Sequence, residues 1–230
     1  MDRGFYASVS AMMSGTKKIN DVANNIANIN TIGFKKDVST IEEFSNIMNN
    51  KLNDRKNIGY MDNQVYVDDT FTIYRDGSIT QTSQPLDFAI SGEGFFKIEK
   101  DGNYLYTRDG SFSKDSNGYL VTSDGGFVLN KLGNRIVVED GKNYSNDLMV
   151  VNFQNKQTLK KTALGYYTNS FGLSQETNVN NPSVRQGYLE MSNVDAAEEL
   201  TDLIKFQRYY QFNQRSLQSH DELLEKIAQF

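Results

Sequence analysis

The 230-residue sequence predicts an α+β fold with a mainly β centre: an antiparallel β-rich domain inserted between long N- and C-terminal helices that pair as a coiled coil. Three observations predict it. Apolar residues recur at heptad spacing near both ends, Asp-Gly and Asn-Gly dipeptides punctuate the middle, and short apolar or aromatic runs lie between those dipeptides. The resulting division is an N-terminal helical segment over 1–35, a connector over 36–69, an all-β domain over 70–187 and a C-terminal helical segment over 188–230 that packs with the first.

The N-terminal helix follows from periodicity. Over residues 3–28, Phe5, Met12, Ile19 and Ile26 recur every seven residues, with Val9, Thr16 and Ala23 between them. That is a stripe alternating by three and four, as on a helix that packs against another helix. Gly33 breaks the pattern after the polar run Asn28-Ile29-Asn30-Thr31. In the connector, Ile41, Phe44, Ile47 and Met48 suggest a short helix before an Asn/Lys-rich loop around 49–57.

The β domain follows from its turns. Asp-Gly or Asn-Gly stands at 76–77, 101–102, 109–110, 117–118, 124–125 and 140–141, the chemistry of tight turns held at positive φ. Between and beside them lie Phe71/Ile73, Leu86/Phe88/Ile90, Phe96/Ile98, Tyr104/Tyr106 and Tyr119/Val121. The C-terminal helix then repeats the heptad design. Ser192 followed by Asp195 suits a cap, and Glu198 and Glu199 suit the positive end of a helix. Leu203, Tyr210, Leu217 and Leu224 form one series, and Phe206, Asn213, His220 and Ile227 the other. A run of about 35 residues would reach roughly 50 Å and needs a partner to cover its stripe.

Composition narrows the function. A net charge of -5 disfavours nonspecific binding to nucleic acid or an anionic membrane surface. No apolar run approaches a membrane span of roughly 18–20 residues. The start, Met1-Asp2-Arg3-Gly4-Phe5, lacks a secretory pattern, and there is no cysteine for disulfide or thiolate chemistry. The single histidine, His220, falls on the helix stripe and reads as structural. Gly92-Glu93-Gly94 has Lys97 where a dinucleotide loop needs its third glycine, and reads as a turn. Asp115-Ser116-Asn117-Gly118 has Gly126 where a calcium loop needs glutamate. The acid pairs Asp68-Asp69 and Glu42-Glu43 read as solvated surface. No catalytic, metal or cofactor-binding residue emerges, and no cofactor is expected.

Three blocks carry more. The first is Ala23-Asn24-Asn25-Ile26-Ala27-Asn28 with Thr31, Gly33, Phe34 and Lys35. The second runs from Thr82 and Pro85-Leu86-Asp87 through Ala89-Ile90, Gly92 and Gly94-Phe95-Phe96. It continues with Tyr106-Thr107-Arg108, Gly110, Phe112, Asp115, Gly118, Leu120-Val121-Thr122 and Gly125. The third is Ser192-Asn193-Val194-Asp195, Glu198, Ile204, Gln207-Arg208, Tyr210 and Asn213. In this order the chain resembles the bacterial flagellar rod and hook axial proteins. Its first block matches the pattern ANN-(I/L)-AN-x-x-T-x-G-(F/Y)-K at every defined position. One departure is Tyr209, where the third block usually has a small residue.

The resemblance implies a structural, non-enzymatic subunit of the flagellar basal body, serving motility. Its paired terminal helices would form an inner tube, with the β domain outside and residues 36–69 running between layers. It implies a helical homo-oligomer that also contacts other rod and hook subunits and transmits torque. Export would run across the cytoplasmic membrane through the flagellar type III apparatus, without a cleaved signal peptide. Neither nucleic acid nor membrane insertion is implied. The length favours a rod subunit over a hook subunit, and the third block looks more like the distal rod type.

The expected assembly interface comprises Phe5, Val9, Met12, Ile19, Asn24, Asn25, Ile26, Asn28, Gly33 and Phe34 from the N-terminal side. From the C-terminal side it comprises Leu203, Phe206, Gln207, Arg208, Tyr210, Asn213, Leu217, Leu224 and Ile227. Each apolar stripe is expected to be half covered in the monomer and buried between subunits. Asn24, Asn25, Asn28 and Asn213 are expected to fix register by inter-helix hydrogen bonds, since an unpaired buried amide costs on the order of 1–3 kcal/mol. Gln207 and Arg208 stay open between subunit contact and solvated surface. Gly33 is expected to end the helix and Phe34 to anchor the exit loop. Alternatives are a hook-type axial subunit, a β-rich carbohydrate-active enzyme with a carboxylate pair in a cleft, and an adhesin or phage-type tube protein.

Overall fold

The computed structural model describes residues 3–43, 65–139, 141–162, 165–169, 174–179 and 182–228. Among them are two long helices and a β-rich central region whose paired strands are all antiparallel. The chain forms two compact units. The first comprises Met1–Ala27, Asp37–Ile73 and Asp195–Phe230, the second Asn28–Lys36 and Tyr74–Val194.

In the first unit, α1 (Arg3–Ala27) and α2 (Ala196–Ala228) run antiparallel along one another. Three contacts set their register: Gly15 on Tyr209, Lys18 Nζ 5.1 Å above the Phe206 ring, and Asn25 on Glu199. Each step up α1 is matched by an equal step down α2. α2 has 33 residues and spans about 50 Å. Its first turn is capped by Asp195, whose Oδ1 accepts from Ala197 N (2.8 Å) and Glu198 N (3.3 Å). Ser192, the expected cap, accepts from Val194 N instead.

The connector region departs from expectation at Ile41. Asp37–Glu43 is a strand, β1, paired with β2 (Val65–Thr72) and packed beside α1. The β-branched residues Val38, Thr40 and Ile41 favour the pleated backbone and outweigh the helical spacing of Ile41 and Phe44. Phe44, Ile47, Met48 and the expected loop at 49–57 lie outside the described residues. Ser39, buried, donates to Asp21 of α1, and Thr72 Oγ1 donates to Asp37 at 2.7 Å.

The second unit holds β3 (Ile79–Gln81), β4 (Phe88–Ile90), β5 (Phe95–Lys100), β6 (Asn103–Thr107), β7 (Ser113–Lys114), β8 (Leu120–Val121) and β9 (Phe127–Val128). After these come β10 (Val150–Phe153), β11 (Lys160–Lys161), β12 (Tyr167–Thr168), β13 (Glu176–Asn178), β14 (Val184–Gln186) and β15 (Tyr188–Glu190). The main sheet runs β11-β12-β6-β5-β9-β8-β7, and β10 joins β5 to β13. Two further pairs, β14 with β4 and β15 with β3, bring the C-terminal part of the domain back onto its start.

Two apolar cores lie on opposite faces of β5, as the period of two requires. Phe96 and Ile98 are buried together with much of the domain: Phe88, Ile90, Phe112, Leu120, Val128 and Leu148 share the cluster that holds Phe96. Phe95 belongs to the other, with Tyr106, Val151, Phe153, Leu159 and Tyr167. Asp115, set aside as a calcium ligand, organises its own turn, accepting from Asn117 N and Tyr119 N.

Candidate assembly surface

The buried face of α1 is not the apolar stripe itself. Ser8, Ala11, Gly15, Val22 and Asn25 are buried and follow one another by threes, fours or their sum, with Ser14 beside them. Phe5, Val9, Met12, Ile19 and Ile26 are only half-buried, while Thr16 and Ala23 are exposed. The seam sits one position N-terminal to the stripe, a rotation of about 100°. Small residues allow the backbone of α1 to approach α2 closely and leave the larger side chains on the flank. Tyr209, the departure from the family pattern, lies where α1 presents no side chain: a Cβ on Gly15 would stand 3.5 Å from its ring.

On α2 the heptad series is partly covered. Leu203, Phe206, Tyr210, Leu217 and His220 are half-buried and Asn213 is buried. Gln207 and Arg208 are exposed, and Leu224 and Ile227 fall outside the described side chains. The outer face carries large apolar groups in water. Met13 on α1 and Phe212 on α2 are each 70% exposed, and Leu200 and Ile204 about half exposed (51% and 52%). Leu200, Ile204 and Phe212 fall on one row of the helix at multiples of four.

The four asparagines do different things. Asn25 is 1% exposed, and its Nδ2 donates to Glu199 Oε2 across the helix pair at 3.2 Å. The same amide exchanges hydrogen bonds with the Asp37 backbone, 2.9 and 3.0 Å long, where β1 begins. Asn213 donates to Tyr209 O of its own helix, Asn24 is exposed, and Asn28 accepts from Thr31 Oγ1 in the turn after α1.

Gly33, expected to stop the helix, has another task. α1 already ends at Ala27, whereas Gly33 sits at φ +66 with its amide donating to Glu190 O at 2.8 Å. A Cβ there would lie 2.5 Å from the Arg108 and Asp109 backbone, so the position requires glycine for close approach. Phe34 is buried, with Lys161 Nζ 3.7 Å above its ring.

Beside them in the second unit lies a buried charge cluster. Lys35 Nζ donates to Glu190 Oε1 (2.5 Å) and to Arg75 O (2.8 Å), with both charged side chains sealed from solvent. Arg108 donates from Nη1 to Glu190 Oε2 at 3.0 Å and from Nη2 to Gly92 O at 2.8 Å. Gly77 N also donates to Glu190 Oε1, and Asp76 lies 3.5 Å from Arg108 Nη1. Arg108 Nε is buried with no hydrogen-bond partner among the described residues. Burial pushes the Lys35 ammonium below its ordinary pKa, and Glu190 opposes that shift. Lys35 and Arg108 stand inside the sequence blocks but carry no local sign of sharing one acid. Glu190 stands in none. The only available signal was a cation, Lys35 or Arg108, inside each of two sequence blocks.

Among the described residues, no group of three or more His, Cys, Asp or Glu side chains is placed to hold a metal, and no helix is long and apolar enough to cross a membrane. Comparison with known proteins gives a consistent family. Residues 5–35 match the model of the flagella basal body rod protein, 89–156 the D1 domain of the flagellar hook protein FlgE/F/G, and 185–230 the C-terminal region of the flagellar basal body rod FlgEFG protein. The flagellar basal-body rod protein FlgG of Bacillus subtilis is 30% identical over 99% of this chain and 98% of its own length. FlgG of Borreliella burgdorferi is 32% identical over 97% of both chains. The rod protein FlgF of Caulobacter vibrioides is 30% identical over 97% of this chain and 95% of its own.

Proposed function

This chain belongs to the flagellar basal-body rod and hook family and is a structural rod subunit of the flagellum, and from that premise we propose that it assembles into a helical tube through its terminal helices. In the tube, α1 and α2 of each copy pack as a coiled coil, and the flanking apolar stripe meets helices of neighbouring copies. The protein transmits torque mechanically and catalyses nothing. Its partners are further copies, other rod and hook subunits and, on the way to the basal body, the type III export apparatus.

The observation that carries this reading is the exposed apolar row Leu200, Ile204 and Phe212 on α2, together with the half-buried stripe Phe5, Met12, Ile19 and Ile26 on α1. Removing such area from water contributes about 25 cal/mol per Å2, reduced by the entropy of ordering the helices. The distal position along the rod is the finer part of the proposal and rests on the third sequence block.

Two measurements test it. Quantitative mass spectrometry of hook–basal bodies should find the chain, and should still find it after the hook is removed; its absence from both would sink the reading. Phe212→Glu combined with Ile204→Glu should retain the helix content of the free subunit yet disappear from those particles. Normal incorporation of that variant would place the interface elsewhere.

A further inference from the structure

The exit segment 31–36 has no strand pairing, yet Gly33, Phe34 and Lys35 are buried. Many of the hydrogen bonds that hold it come from far along the chain. Lys35 reaches Glu190, 155 residues later, and the Lys36 amide reaches Asn193 Oδ1, 157 residues later. Lys161 Nζ donates to Lys35 O, and Asn193 N to Phe34 O. Glu190 in turn takes its place only when β15 has paired with β3, since Glu190 is the residue opposite Ile79. Arg75 O is a shared acceptor, taking Lys35 Nζ at 2.8 Å and Asn193 Nδ2 at 3.0 Å. Without Glu190, two cations would be buried beside each other with only the partly exposed Asp76 carboxylate, near Arg108, to offset them, so the segment cannot seat early at low cost.

We propose that Lys35, Glu190, Arg108 and Asn193 form a latch that makes ordering of the exit segment conditional on closure of the C-terminal return strand. The inference rests on the assembly reading above and adds a regulation to it. The segment 31–36 is secured only in a chain whose return strand has paired, so incomplete chains reach assembly with that segment unlatched. Buried ionic groups are a poor source of net stability but a good source of such either-or behaviour, because a half-made cluster is worse than none.

Native-state hydrogen exchange on the dilute full-length protein tests this, read at the Phe34 amide. Phe34 N bonds locally to Thr31 O at 3.3 Å, so its protection reports order in the segment and not the loss of the latch bond itself. In Lys35→Met, where Glu190 keeps Arg108 and Gly77, and in Glu190→Gln, the rise in Phe34 exchange should exceed the rise at the β5–β6 amides by at least about tenfold. Unchanged Phe34 exchange in both variants would overturn the latch. So would an equal rise at the β5–β6 amides in both, which would make the cluster an ordinary part of the core. Sedimentation and incorporation of the wild type bear on the assembly reading alone, so the two ideas fail separately.

Discussion

Asn25 of α1 and Glu199 of α2 meet 3.2 Å apart in a site where neither residue is more than 1% exposed. A carboxylate held out of water depends on its donors, and the same asparagine also fixes the start of β1 through Asp37. Asn25→Ala should therefore destabilise the helical unit by about 1–3 kcal/mol. Asn25→Asp, nearly identical in shape, should cost more, because it sets a second carboxylate against the first. Urea unfolding followed by helix circular dichroism ranks them; an aspartate variant as stable as wild type would refute the assignment.

The charge cluster of the second unit gives an ordering. Glu190→Gln leaves Lys35 and Arg108 buried around a neutral amide and should cost about 3–5 kcal/mol. Lys35→Met leaves Glu190 still bonded to Arg108 and Gly77, and should cost clearly less. Near-ultraviolet circular dichroism of this tyrosine-rich domain, followed through denaturation, reports both. The reverse order would mean that Lys35 and not Glu190 is the centre of the cluster.

Gly15 is a helical glycine whose missing Cβ would find ordinary contact, not a clash, at Tyr209. Gly15→Ala should stabilise α1 by up to about 1 kcal/mol through helix propensity. Gly15→Leu should push the helices apart and lower the melting temperature. If alanine is as harmful as leucine, the approach of the two helices is closer than 3.5 Å implies.

Asp124 and Tyr166 set the pH limits of one part of the β domain. Partial burial alone would raise the Asp124 pKa, but hydrogen bonds from Tyr166 and Lys100 hold it below the ordinary value. A depressed carboxyl contributes stability above its unfolded pKa of about 3.9, and that contribution is lost as pH falls through the folded value. Burial first, then the Asp124 hydrogen bond, raises Tyr166; burial and Glu176 raise Tyr106. Their contribution is present below the unfolded pKa of about 10 and is lost as pH rises through the folded values. In an ultraviolet titration Tyr106 and Tyr166 should both ionise late, and Tyr166→Phe should shrink the late phase by one tyrosine. A late phase of undiminished amplitude in that variant would rule out the assignment.

Much of this organisation was legible because it is local. The heptads over 3–28 and 203–220 depend on neighbours three and four residues away, so α1 and α2 could be read from spacing alone. The same holds for the Asp-Gly turn at 101–102, where Gly102 takes φ +77. The identical dipeptide at 109–110 exists for another reason: a Cβ on Gly110 would fall 1.7 Å from Phe88 O, a close approach that no local pattern announces. Ile41 was misplaced for a related reason, since the strand it joins is stabilised by residues 65–72 across the pair.

The sequence by itself determined the order of helix, β domain and helix, and the family blocks along them, because periodicity, turn chemistry and motif spacing are properties of short stretches. Only the tertiary structure decided which face of α1 is buried, since the small residues Ser8, Ala11 and Gly15 matter only once a second backbone can approach them. It alone brought Lys35 and Arg108 onto the one carboxylate of Glu190. Burial and charge pairing are set by distance in space, and those three residues are separated by 82 and 155 positions of chain.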